Sequence, residues 1–379
     1  MDIKKLGEIC DVVSGGTPSR TNTAFWDGGI IPWIKIGNIK GKYVSEADEY
    51  ITQAGLEGSS AKILSKGTVL YTIFATLGEA GILTIDACTN QAIAGITIKN
   101  QDEVLADYLY YYLKSKKSYI NNLGRGVAQN NINLSILRNL EIPLPALSVQ
   151  RQTVDILDKT AKVIEYRRQQ LQNLDDLVKA RFVEMFGDPV QNSLKWVTKS
   201  LLEMGYCKNG VNFHSGDSGI EIHCLGVGDF KDYSVVDGTD YLPTISLSEE
   251  PPEESMLQDG DIVFVRSNGN KALVGRCLVV YPHNTPTTYS GFCIRYRLTS
   301  NEVNTSYLLR VLKADSMRKK MIGRGANIQN LNQKTLATLN IPIPPMELQE
   351  QFAEFVNQTD KSKVVVQKAL SKNVQYFTI

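Results

Sequence analysis

One stretch occurs twice in this chain. Gly124–Gln152 reads GRGVAQNNINLSILRNLEIPLPALSVQRQ and Gly323–Gln351 reads GRGANIQNLNQKTLATLNIPIPPMELQEQ; the two align without a gap, 199 residues apart. A short period would signal a solenoid, whereas a period this long signals two whole domains in tandem. The chain is therefore expected to be a pseudo-dimer.

Each copy reads as a polar loop, a short strand ending in Ile-Pro-x-Pro (Ile142 to Pro145, Ile341 to Pro344), and a long helix. Proline is excluded from a helix interior or a central strand, so these prolines are expected to form the turn between strand and helix. The first helix is expected from Leu147 to Phe186, with Leu157, Ile164, Leu171 and Val178 seven residues apart and Ile156, Val163, Leu174 and Leu177 widening the stripe. The second, from about Met346, carries Phe352, Phe355, Val356, Val366, Leu370 and Phe377. A heptad seam needs a partner helix, and the pseudo-twofold makes an antiparallel pair the expected solution. Phe186-Gly187-Asp188-Pro189 reads as a helix stop, with glycine just past the end and proline beyond it.

This pattern resembles the specificity subunit of type I restriction-modification systems, and the resemblance runs over nearly the whole chain. It implies an α+β fold: two tandem, mostly-β target-recognition domains joined by two long repeated helices packed as an antiparallel coiled coil with pseudo-twofold symmetry. The implied boundaries are 1–145 and 187–345 for the recognition domains, with 146–186 and 346–379 for the helices. It further implies that each domain reads half of a split double-stranded DNA site. The helices would dock two methyltransferase subunits, to which restriction and translocase subunits add. On this reading no residue of the chain is catalytic and no cofactor is held by it, S-adenosylmethionine being bound by the partner methyltransferase.

Composition narrows the alternatives. The 379 residues carry 41 basic and 40 acidic side chains, a net charge of +1. Residues 1–145 hold 14 of each sign and residues 187–345 hold 16 of each. A nucleic-acid reader usually shows a basic excess, so DNA binding here requires cations gathered on one face and argues against a free-standing two-domain DNA-binding protein. No apolar run suggests a signal peptide or a membrane span, which gives a cytoplasmic expectation. Six scattered cysteines without a CxxC pair indicate neither a disulfide framework nor a zinc site. A nuclease or methyltransferase with degenerate motifs is the remaining enzyme reading. The phosphate-loop, HExxH, GxSxG and adenine-methyltransferase tetrapeptide patterns are absent, and His214, His223 and His283 all lie in the second half.

Candidate DNA-contacting residues fall in loops. In the first half these are Gly15, Gly16, Thr17, Ser19 and Arg20, where glycines are expected to admit backbone approach to a phosphate. Lys35, Asn38, Lys40 and Lys42 follow a β-rich run, and Thr89, Asn90 and Gln91 lie further on. Lys231 occupies the matching turn of the second half. There Arg266, Asn268, Asn270 and Lys271 stand where the halves diverge most, IFATLGEAG against RSNGNKALVG, as expected of readers of different half-sites. The duplicated loop adds Arg125, Asn130 and Asn131, and Arg324, Gln329 and Asn330. A surface turn with no ligand accounts for the Gly15–Arg20 loop equally well, and a solvated loop residue is the plainer account of any one of Thr89, Asn90, Gln91, Arg266, Asn268, Asn270 and Lys271. Tyr108 and Tyr307, on matching helices, read as core rather than stacking platforms.

Overall fold

The computed structural model describes residues 2–124, 131–214, 216, 218–231, 234–322 and 330–378. It comprises two compact units, Met1–Arg168 with Lys368–Ile379, and Gln169–Gln367. The division passes through both long helices instead of setting them apart from the β domains.

Unit 1 contains β1 (Asp2–Lys5), α1 (Leu6–Ile9), β2 (Cys10–Ser14), β3 (Ile31–Ile34), β4 (Tyr43–Val44), β5 (Glu49–Ile51), α2 (Gln53–Glu57), β6 (Val69–Thr72), β7 (Ala80–Leu83), β8 (Cys88–Thr89) and β9 (Ile93–Ile98). Then come α3 (Ala106–Ser115), α4 (Lys117–Gly124), α5 (Leu134–Arg138), β10 (Glu141–Leu144) and the first part of α6 (Leu147–Phe186). Unit 2 takes the rest of α6, followed by β11 (Val197–Ser200), β12 (Gly205–Asn209), β13 (Ile220–Leu225), β14 (Val235–Asp237), β15 (Thr244–Leu247), β16 (Asp261–Val265), β17 (Cys277–Tyr281), β18 (Thr287–Tyr289) and β19 (Cys293–Leu298). It ends with α7 (Thr305–Lys313), α8 (Asp315–Ile322), α9 (Gln333–Ala337), β20 (Asn340–Ile343) and most of α10 (Met346–Thr378).

The duplication extends to the whole β unit. Unit 1 has sheets ordered β2-β9-β6-β7-β4, β5-β3-β8 and β1-β10, and adding ten to every number gives the sheets of unit 2. Pair directions repeat as well: β4–β7 and β14–β17 are parallel, as are β3–β8 and β13–β18. In each five-stranded sheet the central strand is covered on both faces, which explains its unbroken apolar reading. Val69 and Tyr71 of β6 face a core shared with Leu6, Leu109 and Ile142, while Leu70 faces Ile34, Leu83 and Ile93. Ile262 and Phe264 of β16 likewise face a core with Tyr307 and Phe352, while Val263 and Val265 face Leu225 and Tyr289.

The prolines divide their roles. Pro143 lies inside β10 opposite Ile3, and Pro342 inside β20 opposite Thr198, so neither forms the expected turn. Each belongs to a two-stranded sheet, where a strand always has an open edge that needs no donor. Pro145 in the first copy, and Pro344 with Pro345 in the second, occupy the passage into the helix.

Helix α6 spans the expected residues and stops at Gly187, whose φ of +72° is the left-handed conformation that glycine favours past a helix end. Within unit 2, the Phe182 and Phe186 rings lie 5.5 and 5.6 Å from Phe352, while Asp175 pairs with Lys363 at 2.7 Å. Rising numbers on α6 meet falling numbers on α10, so the pair is antiparallel there. Ile164, Val178, Phe352, Val366 and Leu370 are buried, and Leu171 and Phe355 half-buried. Leu157 packs with Val154 on the β core of unit 1, so part of the heptad stripe fastens the helix to its own domain. Ile156, Val163 and Leu177 are 55, 42 and 49% exposed, a correction to the wider stripe read from the sequence. Among the described residues no helix is long and apolar enough to cross a membrane.

One buried side chain fixes each helix start. Gln150 Oε1 accepts from the Leu105 amide at 3.0 Å, and its Nε2 donates to the Glu103 and Pro145 carbonyls at 2.8 and 2.9 Å. Gln349 repeats the set with Asn304 N, Glu302 O and Pro344 O. Both glutamines are fully buried. Leaving one buried amide N–H and two carbonyls unpaired costs about 2–4 kcal/mol. Gln150→Ala and Gln349→Ala are each expected to lower stability by about that amount in urea unfolding; midpoints equal to wild type would show that these bonds do not hold the helix.

Candidate nucleic-acid interface

Gly15 and Gly16 in unit 1 serve packing, not phosphate binding. The Gly15 amide donates to Ile93 O at 3.1 Å and the Gly16 amide to Thr89 O at 2.9 Å. A Cβ on Gly15 would sit 2.2 Å from Thr89 O, and one on Gly16 2.3 Å from Ser60 Oγ. Both glycines are buried, with their donors already used. Thr89 is also fully buried, which removes it from the set of readers. Asn90 is half-buried and spends its Oδ1 on the Ala92 amide.

The same loop then surfaces. Thr17 Oγ1 donates to Gln91 Oε1 and Ser19 Oγ lies 3.0 Å from Thr21 Oγ1, all four residues being exposed. The Arg20 guanidinium lies 3.7 Å from the Trp26 ring centroid and 4.9 Å from that of Trp33, and it pairs with Glu49 at 2.5 Å. Lys35 reaches the other Glu49 oxygen at 2.5 Å. These bonds, that from Lys35 foremost, outweigh partial burial and hold the Glu49 carboxyl below its ordinary pKa. Trp33 Nε1 donates to Gly16 O at 2.9 Å, which fastens this group to the buried loop. Trp26, absent from the sequence candidates, forms the flat base on which Arg20 rests; its signal was only an aromatic six residues beyond an arginine. Asn38 accepts from the Lys35 amide, and Lys40 is exposed.

Lys42 is a further correction. Its ammonium lies 2.7 Å from Asp107 and 2.6 Å from Asp158, with its side chain only 13% exposed. Burial disfavours its charge, but the two carboxylates prevail and its pKa lies above a lysine's ordinary value. Burial works against the Asp158 carboxylate too, and the bonds from Lys42 and Tyr111 overcome it, leaving its pKa lowered. Lys42 thus ties the β unit to α6 and is unavailable to a phosphate.

Unit 2 offers a different lining on the same frame. Arg266 Nη1 approaches Gly291 O at 3.4 Å, and its backbone is held by Phe292 O and Leu331 N. Asn268 Oδ1 accepts from the Asn270 amide, and Asn270 Oδ1 from that of Ala272, which makes two successive turns held by their own side chains. Asn270, Lys271 and Asn330 are exposed. Asn131 and Asn330 occupy equivalent bridges, Asn131 to Phe74 and Asn330 to Ser267. Arg125, Asn130, Arg324 and Gln329 lie outside the described residues, as does the Lys231 side chain. The exposed candidates are therefore Thr17, Ser19, Arg20, Lys40 and Gln91 in one unit and Asn270, Lys271 and Asn330 in the other, with Lys35, Asn38, Asn90, Asn131, Arg266 and Asn268 half-buried. Such amides and cations suit base edges and phosphates and hold no nucleophile paired with a base.

Lys42→Met is expected to lower stability by about 1–3 kcal/mol while leaving the salt dependence of DNA binding unchanged. Because the Asp158 pKa is depressed on folding, its contribution is complete above the unfolded value of about 3.9 and is lost as pH falls through the lower folded value. Acid titration of unfolding should show this loss in the wild type and a smaller one in the variant; a reduced salt slope in the variant would return Lys42 to the interface.

Both halves match a family described as the type I restriction modification DNA specificity domain, over residues 1–175 and 232–376. The chain is 32% identical over 272 residues to the type I restriction enzyme MjaIX specificity subunit of Methanocaldococcus jannaschii, covering 70% of this chain and 57% of that protein. It is 24% identical over 356 residues to the StySPI specificity subunit of Salmonella potsdam, covering 86% and 75%. In fold it is similar to the S subunit of a type I restriction-modification system from M. genitalium, with a TM-score of 0.54 at 16% identity over 99% of this chain and 93% of that one. A chain from a structure on assembly and conformational transition of a type I R-M system gives 0.60 at 17% over 99% and 94%. With the family matched in both halves and the strand order duplicated, this chain belongs to the type I restriction-modification DNA specificity family.

Proposed function

We propose that this chain is the DNA sequence-specificity subunit of a type I restriction-modification complex, without catalytic residues of its own. The observation that carries the reading is the complete duplication of strand order with different side chains at matching loop positions, Ile73, Phe74 and Ala92 against Arg266, Ser267 and Phe292. One scaffold used twice with different displayed side chains suits a bipartite site with two unlike half-sites in double-stranded DNA. The long helices, which also occur twice, would dock two methyltransferase subunits, and restriction and translocase subunits would join that assembly in the cytoplasm. S-adenosylmethionine would be held by the methyltransferase. Methylation of a stacked base requires its extraction from the duplex, so binding here selects the base that the partner flips. A free-standing DNA-binding protein, or a nuclease or methyltransferase with degenerate motifs, has no specific observation in its favour. The complex with saturating methyltransferase should have the mass of one copy of this chain and two of the partner, and the chain alone should transfer no methyl group to DNA. A one-to-one mass, or turnover by the chain alone, would refute the reading.

A further inference from the structure

Each unit displays an exposed phenylalanine on the same backbone frame, though from opposite sides of it. In unit 1 the exit of β6 is pinned on both sides: the Ile73 amide donates to Ala92 O at 2.8 Å, and Ile73 O accepts from Ile132 N at 3.1 Å. In unit 2 the Arg266 amide donates to Phe292 O at 2.8 Å, and Arg266 O accepts from Leu331 N at 2.8 Å. Phe74, bridged to Asn131, thus stands where unit 2 has Ser267, and Phe292 stands where unit 1 has Ala92. Phe74 is 39% exposed and Phe292 62%. The aromatic has changed sides while the frame stayed the same.

Single exposed apolar side chains are ordinary on protein surfaces, but these two share further features. Both border the point where the duplicated Gly-Arg-Gly loop rejoins the described chain, at Asn131 and Asn330. Both backbones are tied to the frame: Phe74 is bridged to Asn131, and the Phe292 carbonyl accepts two amides, from Arg266 and Ser267, with the preceding Gly291 so closely packed that a Cβ would sit 2.0 Å from Asn212 Oδ1. Asn131 lies across the bridge from Phe74, while Arg266 and Ser267 donate to the Phe292 carbonyl and Ser267 is bridged to Asn330, so each phenylalanine stands near residues of the kind that bond base edges.

We propose that Phe74 and Phe292 are specificity-determining residues, each packing against the C5 methyl group of a thymine in its own half-site; this rests on the specificity-subunit reading above. The major groove sets that methyl beside the amide and carbonyl edges of an A·T pair, and an apolar side chain among amides matches the pattern. Phe74 has most of its surface covered, which suits a lateral contact with a methyl group better than insertion between base pairs.

The test uses the chain assembled with its methyltransferase and the site determined by sequencing methylated DNA. Binding is measured by fluorescence anisotropy to duplexes in which each thymine in turn is replaced by deoxyuridine, which removes only the methyl group. The wild type should lose about three- to tenfold in affinity at one thymine in each half-site. Phe74→Ala should become indifferent to uracil in one half-site and keep its sensitivity in the other, and Phe292→Ala should do the converse. The retained sensitivity of the untouched half-site reports that each variant is folded, and Phe→Leu variants should keep part of the discrimination. Wild-type indifference to uracil throughout, half-sites without thymine, or full sensitivity in the alanine variants would overturn the proposal while the specificity reading stands. A uniform loss of affinity for every sequence would mean a wedge and would overturn it equally. A wild-type complex that methylates no split site would instead remove the specificity reading itself.

Discussion

A buried side-chain amide fastens each β unit to a long helix, and the other features of the fold follow from that joint. Gln150 and Gln349 each satisfy one backbone N–H and two carbonyls at the place where the loop before the tyrosine-bearing helix, the Pro-x-Pro segment and the long helix converge. Three polar backbone groups buried there would otherwise be unpaired, so the angle at which the helix leaves its domain is set by hydrogen bonds as well as by apolar packing. Tyr108 and Tyr307 reinforce the joint through the Pro143 and Pro342 carbonyls, each at 2.9 Å. Because both joints have the same partners, whatever the helices present to a protein partner is presented from the same attachment in each unit.

With backbone and joint held constant, the side chains are free to differ, even in the interior. At matching positions across the same strand pair, unit 1 places Thr68 beside Thr97, whereas unit 2 places Asp261 against Arg297 with two 2.8 Å bonds. Gly95 of β9 makes room for the Leu64 side chain, and its counterpart Arg295 of β19 is wholly buried between Glu254 O, Asp261 and the Tyr206 ring. A buried ion pair of this kind adds little net stability over an apolar filling. It keeps the strands in register with a different chemistry. The surface follows the same rule: where unit 1 pairs the Ile73 amide with Ala92, unit 2 pairs the Arg266 amide with the exposed Phe292. A scaffold that tolerates such exchange is suited to reading two unlike sequences.

The organisation was legible where a pattern is long or repeated. The bounds of α6 followed from its heptad stripe and from Gly187, and the tandem architecture from the ungapped repeat. The role of individual polar residues was not legible, because it depends on neighbours that are far away in sequence. Lys42 looks like any loop lysine until Asp158, 116 residues on, is brought beside it by the sheet and helix. Gly15 and Gly16 look poised for phosphate until β8 and β9 take their amides. Pro143 and Pro342 were read as turn formers by a rule that holds for central strands and relaxes in two-stranded sheets. Trp26, Phe74 and Phe292 were overlooked because a lone aromatic carries no spacing signal, and only its exposure on a fixed backbone distinguishes it.

On the proposed function, two like scaffolds with unlike linings read two half-sites for a partner that modifies one base in each. Sequencing the methylated DNA of a host that expresses this chain with its methyltransferase tests it most directly. Methylated bases are expected in two different short sequences separated by a spacer of fixed length and free composition, and none when this chain is omitted. Methylation confined to a single continuous sequence, or persisting without the chain, would contradict it.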